Sequence, residues 1–204
     1  MLAQDSLAPT TMTSREQALA VHIADSLVAL ELPGVGEALR VADIGSGAGF
    51  PGLALAIALP AARVCLVESQ TRRCDFLMRL AASATISNAT VVCRRAEDWP
   101  GGLGAHDLVT ARALGAAVVV LEYAAPLLRV GGALVDWRGR RDAGAERRAR
   151  VVARKLGLEA REIRHVKPFP GAEHHHLHLY AKVAATPGHL PRRPGMARKR
   201  PLTP

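Results

Sequence analysis

Short apolar runs of strand length alternate along this chain with longer runs of helical character, and this alternation constrains the fold more than any other feature. Residues 39–44 read as a buried strand, 52–59 as a helix stopped by Pro60, and 63–68 as a second strand. A helix over 71–82 and a strand over 90–94 follow, then a short strand over 107–110 and a helix over 116–128. Gly131-Gly132 reads as a turn into a strand over 133–137. Such alternation predicts a parallel sheet covered by helices on both faces, with right-handed crossovers.

The two ends read differently. Leu19, Ile23, Leu27 and Leu30 recur at helical spacing over 14–30, where Ser14 and Gln17 have the spacing of a capping box and Pro33-Gly34 marks the stop. Residues 1–13 mix small, polar and apolar types without a period. Residues 142–156 form a basic helical pattern. Two extended runs, 158–166 and 174–183, follow with no helix between them, which predicts an antiparallel pair at the sheet edge. Residues 186–204 are rich in Pro and Arg and read as an irregular tail. The chain thus divides into one domain, 1–185, whose residues 1–35 are an amino-terminal helical segment, and a basic tail, 186–204.

The segment Val41-Ala42-Asp43-Ile44-Gly45-Ser46-Gly47-Ala48-Gly49-Phe50-Pro51-Gly52 ends the first strand in an acid and then turns through glycines. In open sheets of this class, ligands bind at the carboxyl ends of the strands where strand order reverses. Glycines there allow a sharp turn and a close approach of backbone to ligand. Gly47, Gly49 and Gly52 also satisfy the dinucleotide pattern G-x-G-x-x-G, a weak signal alone. Asp43 tilts against that reading, because a carboxylate before the loop repels a pyrophosphate and suits the cationic amino group of S-adenosylmethionine. Glu68, ending the second strand, can accept hydrogen bonds from ribose hydroxyls in either cofactor class. Glu97-Asp98, after the third strand, can meet an adenine edge. A methyltransferase is therefore favoured over a dinucleotide enzyme and over an α/β domain without turnover.

Composition bounds the partners. The 204 residues carry a net charge of +9, and aromatics make up only 3%, so the core must be aliphatic. Eight Lys/Arg stand against Asp142 and Glu146 between Arg138 and Lys155, and five more (Arg192, Arg193, Arg198, Lys199 and Arg200) lie in the tail. Charge clustered in this way favours RNA over a mere compositional bias. Cys65, Cys74 and Cys93 are an odd number without close spacing, which argues against a disulfide framework and a zinc knuckle. Cys65 and Cys93, inside apolar runs, read as buried small hydrophobes. No signal-peptide pattern is visible, and no apolar run reaches the ~18 residues of a membrane span. A cytoplasmic location follows as the expectation.

Beyond these patterns, the segment ending Phe50-Pro51-Gly52 resembles the cofactor loop of the ribosomal RNA small-subunit methyltransferase G family, also called glucose-inhibited division protein B. His22-Ile23-Ala24-Asp25-Ser26-Leu27, Glu68-Ser69 with Arg72-Arg73 and Phe76-Leu77, Ala96-Glu97, and Ala111-Arg112-Ala113 resemble further family segments in order. Trp137-Arg138-Gly139 stands where the family has Lys-Gly. The resemblance spans about residues 20–185 and implies a class I, Rossmann-like methyltransferase fold with S-adenosyl-L-methionine as methyl donor. It implies methylation of N7 of a guanine in bacterial 16S ribosomal RNA, by a monomer that needs no membrane. By resemblance, the cofactor contacts are Gly45, Phe50, Ala96, Glu97 and Arg112; Asp43, Gly47 and Glu68 are added from the residue-level reading. Family members carry a longer region before the His22 segment, and the shorter one here bears on substrate affinity more than on cofactor binding.

Guanine N7 has a lone pair and no proton, so methyl transfer to it needs alignment rather than a general base. The loops accordingly show no obvious acid–base pair, and the sequence names no catalytic side chain. Arg112 and Arg138 are the candidates for placing the substrate, since a guanidinium pairs with phosphate or with guanine O6. His22, Asp25 and Ser26 have hydrolase residue types but sit within one helical turn, too local for a nucleophile site. His174, His176 and His178 share a strand face, but adjacent His175 points away. These read as sheet-edge histidines, with no metal expected.

Overall fold

The computed structural model describes residues 18–204. The Ser14–Gln17 capping pattern and the aperiodic start lie outside the described residues. Three short helical stretches, Ala18–Ala24, Asp25–Leu27 and Val28–Glu31, run on from one another and stop before Pro33. Strands β1 (Arg40–Ile44), β2 (Arg63–Glu68), β3 (Ala89–Cys93), β4 (His106–Arg112) and β5 (Leu128–Arg138) are parallel. They alternate with the helices Gly52–Ala58, Thr71–Ser83 and Ala117–Ala124. The helix Ala143–Lys155 then leads to β6 (Leu158–Val166) and β7 (His175–Lys182). Strand order is β3-β2-β1-β4-β5-β7-β6, and β7 runs antiparallel to both β5 and β6. The expected antiparallel pair is therefore present, with β7 inserted between β5 and the edge strand.

Alternation along each strand builds two cores. Ala42 and Ile44 of β1 pack with the helices Ala117–Ala124 and Ala143–Lys155, whereas Val41 packs on the opposite face with Leu53, Phe76 and Leu77. Asp142 caps the Ala143–Lys155 helix by accepting the Ala145 N–H at 2.9 Å. That helix turns Ala149, Val152 and Ala153 inward and leaves Arg147, Arg148, Arg150, Arg154 and Lys155 exposed.

Four expectations are corrected. Gly131-Gly132 is not a turn before β5 but lies inside its eleven residues. A Cβ at Gly132 would come within 2.8 Å of the Asp107 carbonyl, so glycine lets β4 and β5 close up where their register shifts. The helix expected over 116–128 is shorter because Pro126 cannot continue it. Cys74 and Cys93 are joined as a disulfide with Cα atoms 5.7 Å apart, and Cys93 is exposed while Cys74 is buried. Antiparallel packing of the Thr71–Ser83 helix against β3 sets the helix start beside the strand's carboxyl end and brings together residues nineteen apart, which spacing alone does not reveal. Lastly, residues 186–204 are not a loose tail. They pack on the domain, include a helical turn at Met196–Lys199, and bury Ala197.

Candidate functional site

The sheet changes direction at β1, which pairs with β2 on one side and β4 on the other. The glycine loop leaves β1 at that point. Gly45 donates its N–H to the Val67 carbonyl at 2.8 Å and Ser46 to the same oxygen at 3.2 Å. Gly45 and Gly49 have φ of +69° and +96°, values that glycine adopts without strain.

Two buried carboxylates hold the loop. Glu68 accepts the N–H groups of Ser69 (2.7 Å) and Gln70 (2.9 Å) on one oxygen and that of Gly47 (3.1 Å) on the other. Asp43 lies across from Thr110 in the β1–β4 register and accepts its hydroxyl at 2.9 Å, while its second oxygen accepts the Gly52 N–H at 3.2 Å. Asp43 is only 1% exposed, and it anchors the start of the following helix. Gly47 likewise serves the loop through its bond to Glu68.

Burial pushes the Asp43 carboxyl up from the usual 3.8 to about 6, against the opposing hydrogen bonds from Thr110, Ser46 and Gly52. A raised folded-state pKa gives stability that is full below the unfolded value and is lost as pH rises through the folded one. Asp43→Asn removes this dependence. Between pH 4 and pH 8, urea unfolding should therefore show the variant gaining about 2 kcal/mol relative to the wild type. A pH-independent difference would contradict the assignment.

Above the loop, the carboxyl ends of β1, β2, β3 and β4 border a cleft of about 180 Å³. Gly45, Glu68, Ala96, Glu97 and Leu114 line it. A Cβ on Gly45 would fall 2.4 Å from the Leu114 side chain, so the glycine keeps this floor open. Glu68 and Glu97 present acceptors at the ends of β2 and β3. That pair suits the hydroxyl and amino groups of a purine nucleoside. Of the residues expected to touch a cofactor, Gly45, Glu68, Ala96 and Glu97 are thus brought together. Leu114, Tyr123 and four arginines, Arg73, Arg94, Arg95 and Arg198, also line it. Leu114 adjoins the Ala111-Arg112-Ala113 segment, but nothing near Arg198 in sequence points to the cleft.

Phe50 and Arg112 lie elsewhere. Arg112 turns from the end of β4 toward the amino-terminal helical stretch. Its guanidinium donates to Asp25 at 3.0 Å, to the Val21 carbonyl at 3.3 Å, and meets His22 Nδ1 at 3.1 Å. His22 stacks on Phe50 with ring centroids 4.9 Å apart and planes 8° from parallel. Burial, aided by Arg112, lowers the His22 pKa despite Asp25. Asp25 also faces His175 at 3.0 Å, and its backbone carbonyl accepts the Trp137 indole N–H at 2.8 Å. His22, Asp25 and Ser26 therefore form no hydrolase triad: the Ser26 hydroxyl donates to the His22 carbonyl. This cluster ties the amino-terminal stretch to the ends of β4, β5 and β7.

Arg138 is equally committed. Its Nε donates to Asp136 at 2.6 Å and its Nη1 to the Gly115 carbonyl at 2.7 Å. Asp136 is fully buried and pushed up to about 7 by burial against the Arg138 charge. The histidines are not at the sheet edge as expected, because β7 is paired on both sides, with β5 and with β6, and they serve separate neighbours. His174 meets Arg140, His176 meets the Gly139 carbonyl, and buried His178 is lowered to about 4. The two basic clusters meet where Lys155 donates to the Thr203 carbonyl at 3.2 Å. Among the described residues, no helix is long and apolar enough to cross a membrane.

Comparison with known proteins agrees with this geometry. The family described as "GidB: rRNA small subunit methyltransferase G" matches residues 6–174. A ribosomal RNA small subunit methyltransferase G of Synechococcus sp. (strain JA-3-3Ab) is 38% identical over 192 residues, covering 89% of this chain and 73% of that one. The protein of the same name from Desulfitobacterium hafniense (strain Y51) is 36% identical over 196 residues, covering 95% and 81%. Among solved structures, an Aquifex aeolicus SAM-dependent methyltransferase superposes with a TM-score of 0.63 at 15% identity, covering 82% of this chain and 93% of that one. Aeropyrum pernix fibrillarin with bound S-adenosyl-L-methionine gives 0.62 at 20% identity, covering 78% and 73%. At these identities the structural likeness concerns the Rossmann-like methyltransferase fold.

Proposed function

Since the chain belongs to the ribosomal RNA small-subunit methyltransferase G family, with S-adenosyl-L-methionine as its methyl donor, we propose that it methylates N7 of a guanine in bacterial 16S ribosomal RNA, as a monomer in the cytoplasm. One observation carries the reading: the cleft at the sheet's switch point joins an open glycine floor at Gly45 to two acceptor carboxylates, Glu68 and Glu97. Acceptors at the ends of β2 and β3 suit a nucleoside's ribose hydroxyls and adenine amino group. Gly45, Glu68, Ala96 and Glu97 are assigned the cofactor contacts. Phe50 and Arg112 are assigned the wall behind them, held with His22 and Asp25.

S-adenosylmethionine supplies a methyl group already activated on a sulfonium. Guanine N7 offers its lone pair without losing a proton, so this chain's residues need only align the partners and exclude competitors. The ion pairs at Arg112 and Arg138 fix the loop after β4, from Ala113 to Gly115, between cofactor cleft and substrate side. The exposed arginines of the Ala143–Lys155 helix supply phosphate contacts, which bind RNA through counterion release.

The test supplies labelled S-adenosylmethionine to undermethylated 30S subunits, naked 16S RNA and protein. The expected product is labelled RNA that breaks under chemistry specific for N7-methylguanine. Label at other atoms, or in protein alone, would sink the proposal.

A further inference from the structure

The carboxy-terminal segment, set apart from the domain by its composition, reaches into the cleft. Two of its residues contact elements that border it. The Gly195 N–H donates to Glu97 Oε1 at 2.9 Å, restraining the carboxylate at the end of β3. Arg198 donates to the Leu114 carbonyl at 2.9 Å, and its side chain lines the cleft. Leu114 in turn covers Gly45. One segment thereby links the loops after β3 and β4 with the glycine loop.

The segment is latched as well as laid down. Arg192 grips Glu122 with two bonds of 2.6 Å, and Glu122 is 2% exposed on the Ala117–Ala124 helix. Arg192 also donates to the Arg200 carbonyl at 2.8 Å, closing the segment on itself. Thr186 donates to the Ala125 carbonyl at 2.8 Å, and Leu190 and Leu202 pack on the core. A buried carboxylate without this partner would be strongly unfavourable, so the domain is built to receive the segment. Pro187, Pro191, Pro194 and Pro201 reduce the conformational freedom that ordering removes.

We propose that residues 186–202 are a cofactor-positioning strap, in which Gly195 and Arg198 set the adenine-side walls of the cleft and the Arg192–Glu122 pair latches them. The proposal rests on the cofactor reading above. Restraining Glu97 and Leu114 before binding lowers the ordering cost of the nucleoside complex, which appears as affinity. The strap touches walls of the cofactor cleft, at Glu97 and Leu114, so affinity for the cofactor should respond more than turnover.

The experiment measures S-adenosylhomocysteine binding by calorimetry and steady-state methyl transfer in full-length protein. The first variant is Arg198→Ala. The second deletes residues 186–204 and carries Glu122→Gln, so that no charge is left buried without its partner. Affinity should fall about tenfold or more in the deletion and by a smaller factor in Arg198→Ala. In Arg198→Ala, KM for S-adenosylmethionine should rise while kcat is kept, and Arg198→Lys should recover most of the affinity. A general loosening of the fold would lower kcat as well and would refute the assignment. Binding by both variants equal to or tighter than wild type overturns the strap alone. Wild-type protein that binds no S-adenosylhomocysteine overturns the cofactor reading beneath it.

Discussion

Gly45→Arg should abolish cofactor binding while leaving the fold in place. Gly45 has a φ of +69°, which costs an L-residue on the order of 1–2 kcal/mol. Its added Cβ would lie 2.4 Å from Leu114, and the remaining side chain has no course except along the cleft floor. The tip of the Leu114 side chain can turn aside for a Cβ, but a whole arginine side chain needs the space of the cleft that Gly45 and Leu114 line. Binding of S-adenosylhomocysteine should drop by about a hundredfold or more, given that a buried ligand cannot share its volume with a guanidinium. Calorimetry beside far-UV circular dichroism separates lost binding from lost structure. Unchanged affinity would place the cofactor elsewhere.

Arg112→Met should have the largest effect on stability. Methionine keeps the aliphatic bulk but removes the Arg112 partner of Asp25, whose side chain is 4% exposed and also faces His175. Removing one member of a buried pair costs about 3–5 kcal/mol, far more than a surface ion pair is worth. Combining it with Asp25→Asn should recover a substantial part, because the two side chains act as one unit. Urea unfolding of the single and double variants checks this. The same variants decide the role of Arg112. Where affinity for S-adenosylhomocysteine falls no more than the lost folded fraction explains, Arg112 is scaffold. A separate loss of a hundredfold would restore it as a direct cofactor contact.

These two residues illustrate what could be read from the chain. Gly45 was legible because the short strand Arg40–Ile44, apolar but for Arg40 and Asp43, runs straight into the glycines, which have a local geometric reason. Glu68 and Ala96-Glu97 were legible likewise, since each follows directly on a strand whose end faces the same edge of the sheet. Arg112 is named by family resemblance, but its direction is not a local property. It points toward His22 and Asp25 because β4 and the amino-terminal stretch, 87 residues apart at the Arg112–Asp25 contact, meet in space. Asp43 carried chemistry that suits a ligand, and only the structure shows that Thr110 and Gly52 bond to its two oxygens.

The sequence by itself determined the seven strands, their alternation with helices, the position of the glycine loop and the family. The first three depend on short-range patterns of burial and turn chemistry, and the family on the resemblance carried by Phe50-Pro51-Gly52 and the segments that match after it. Only the tertiary structure decided that Gly131 and Gly132 lie within a strand, that Cys74 meets Cys93, and that the basic carboxy-terminal segment enters the cleft. Each of those rests on a contact between residues far apart in the chain, as Arg192 with Glu122 or Gly195 with Glu97. A composition of Pro and Arg describes how a segment behaves alone. It cannot disclose that a buried carboxylate elsewhere is waiting for one of its arginines.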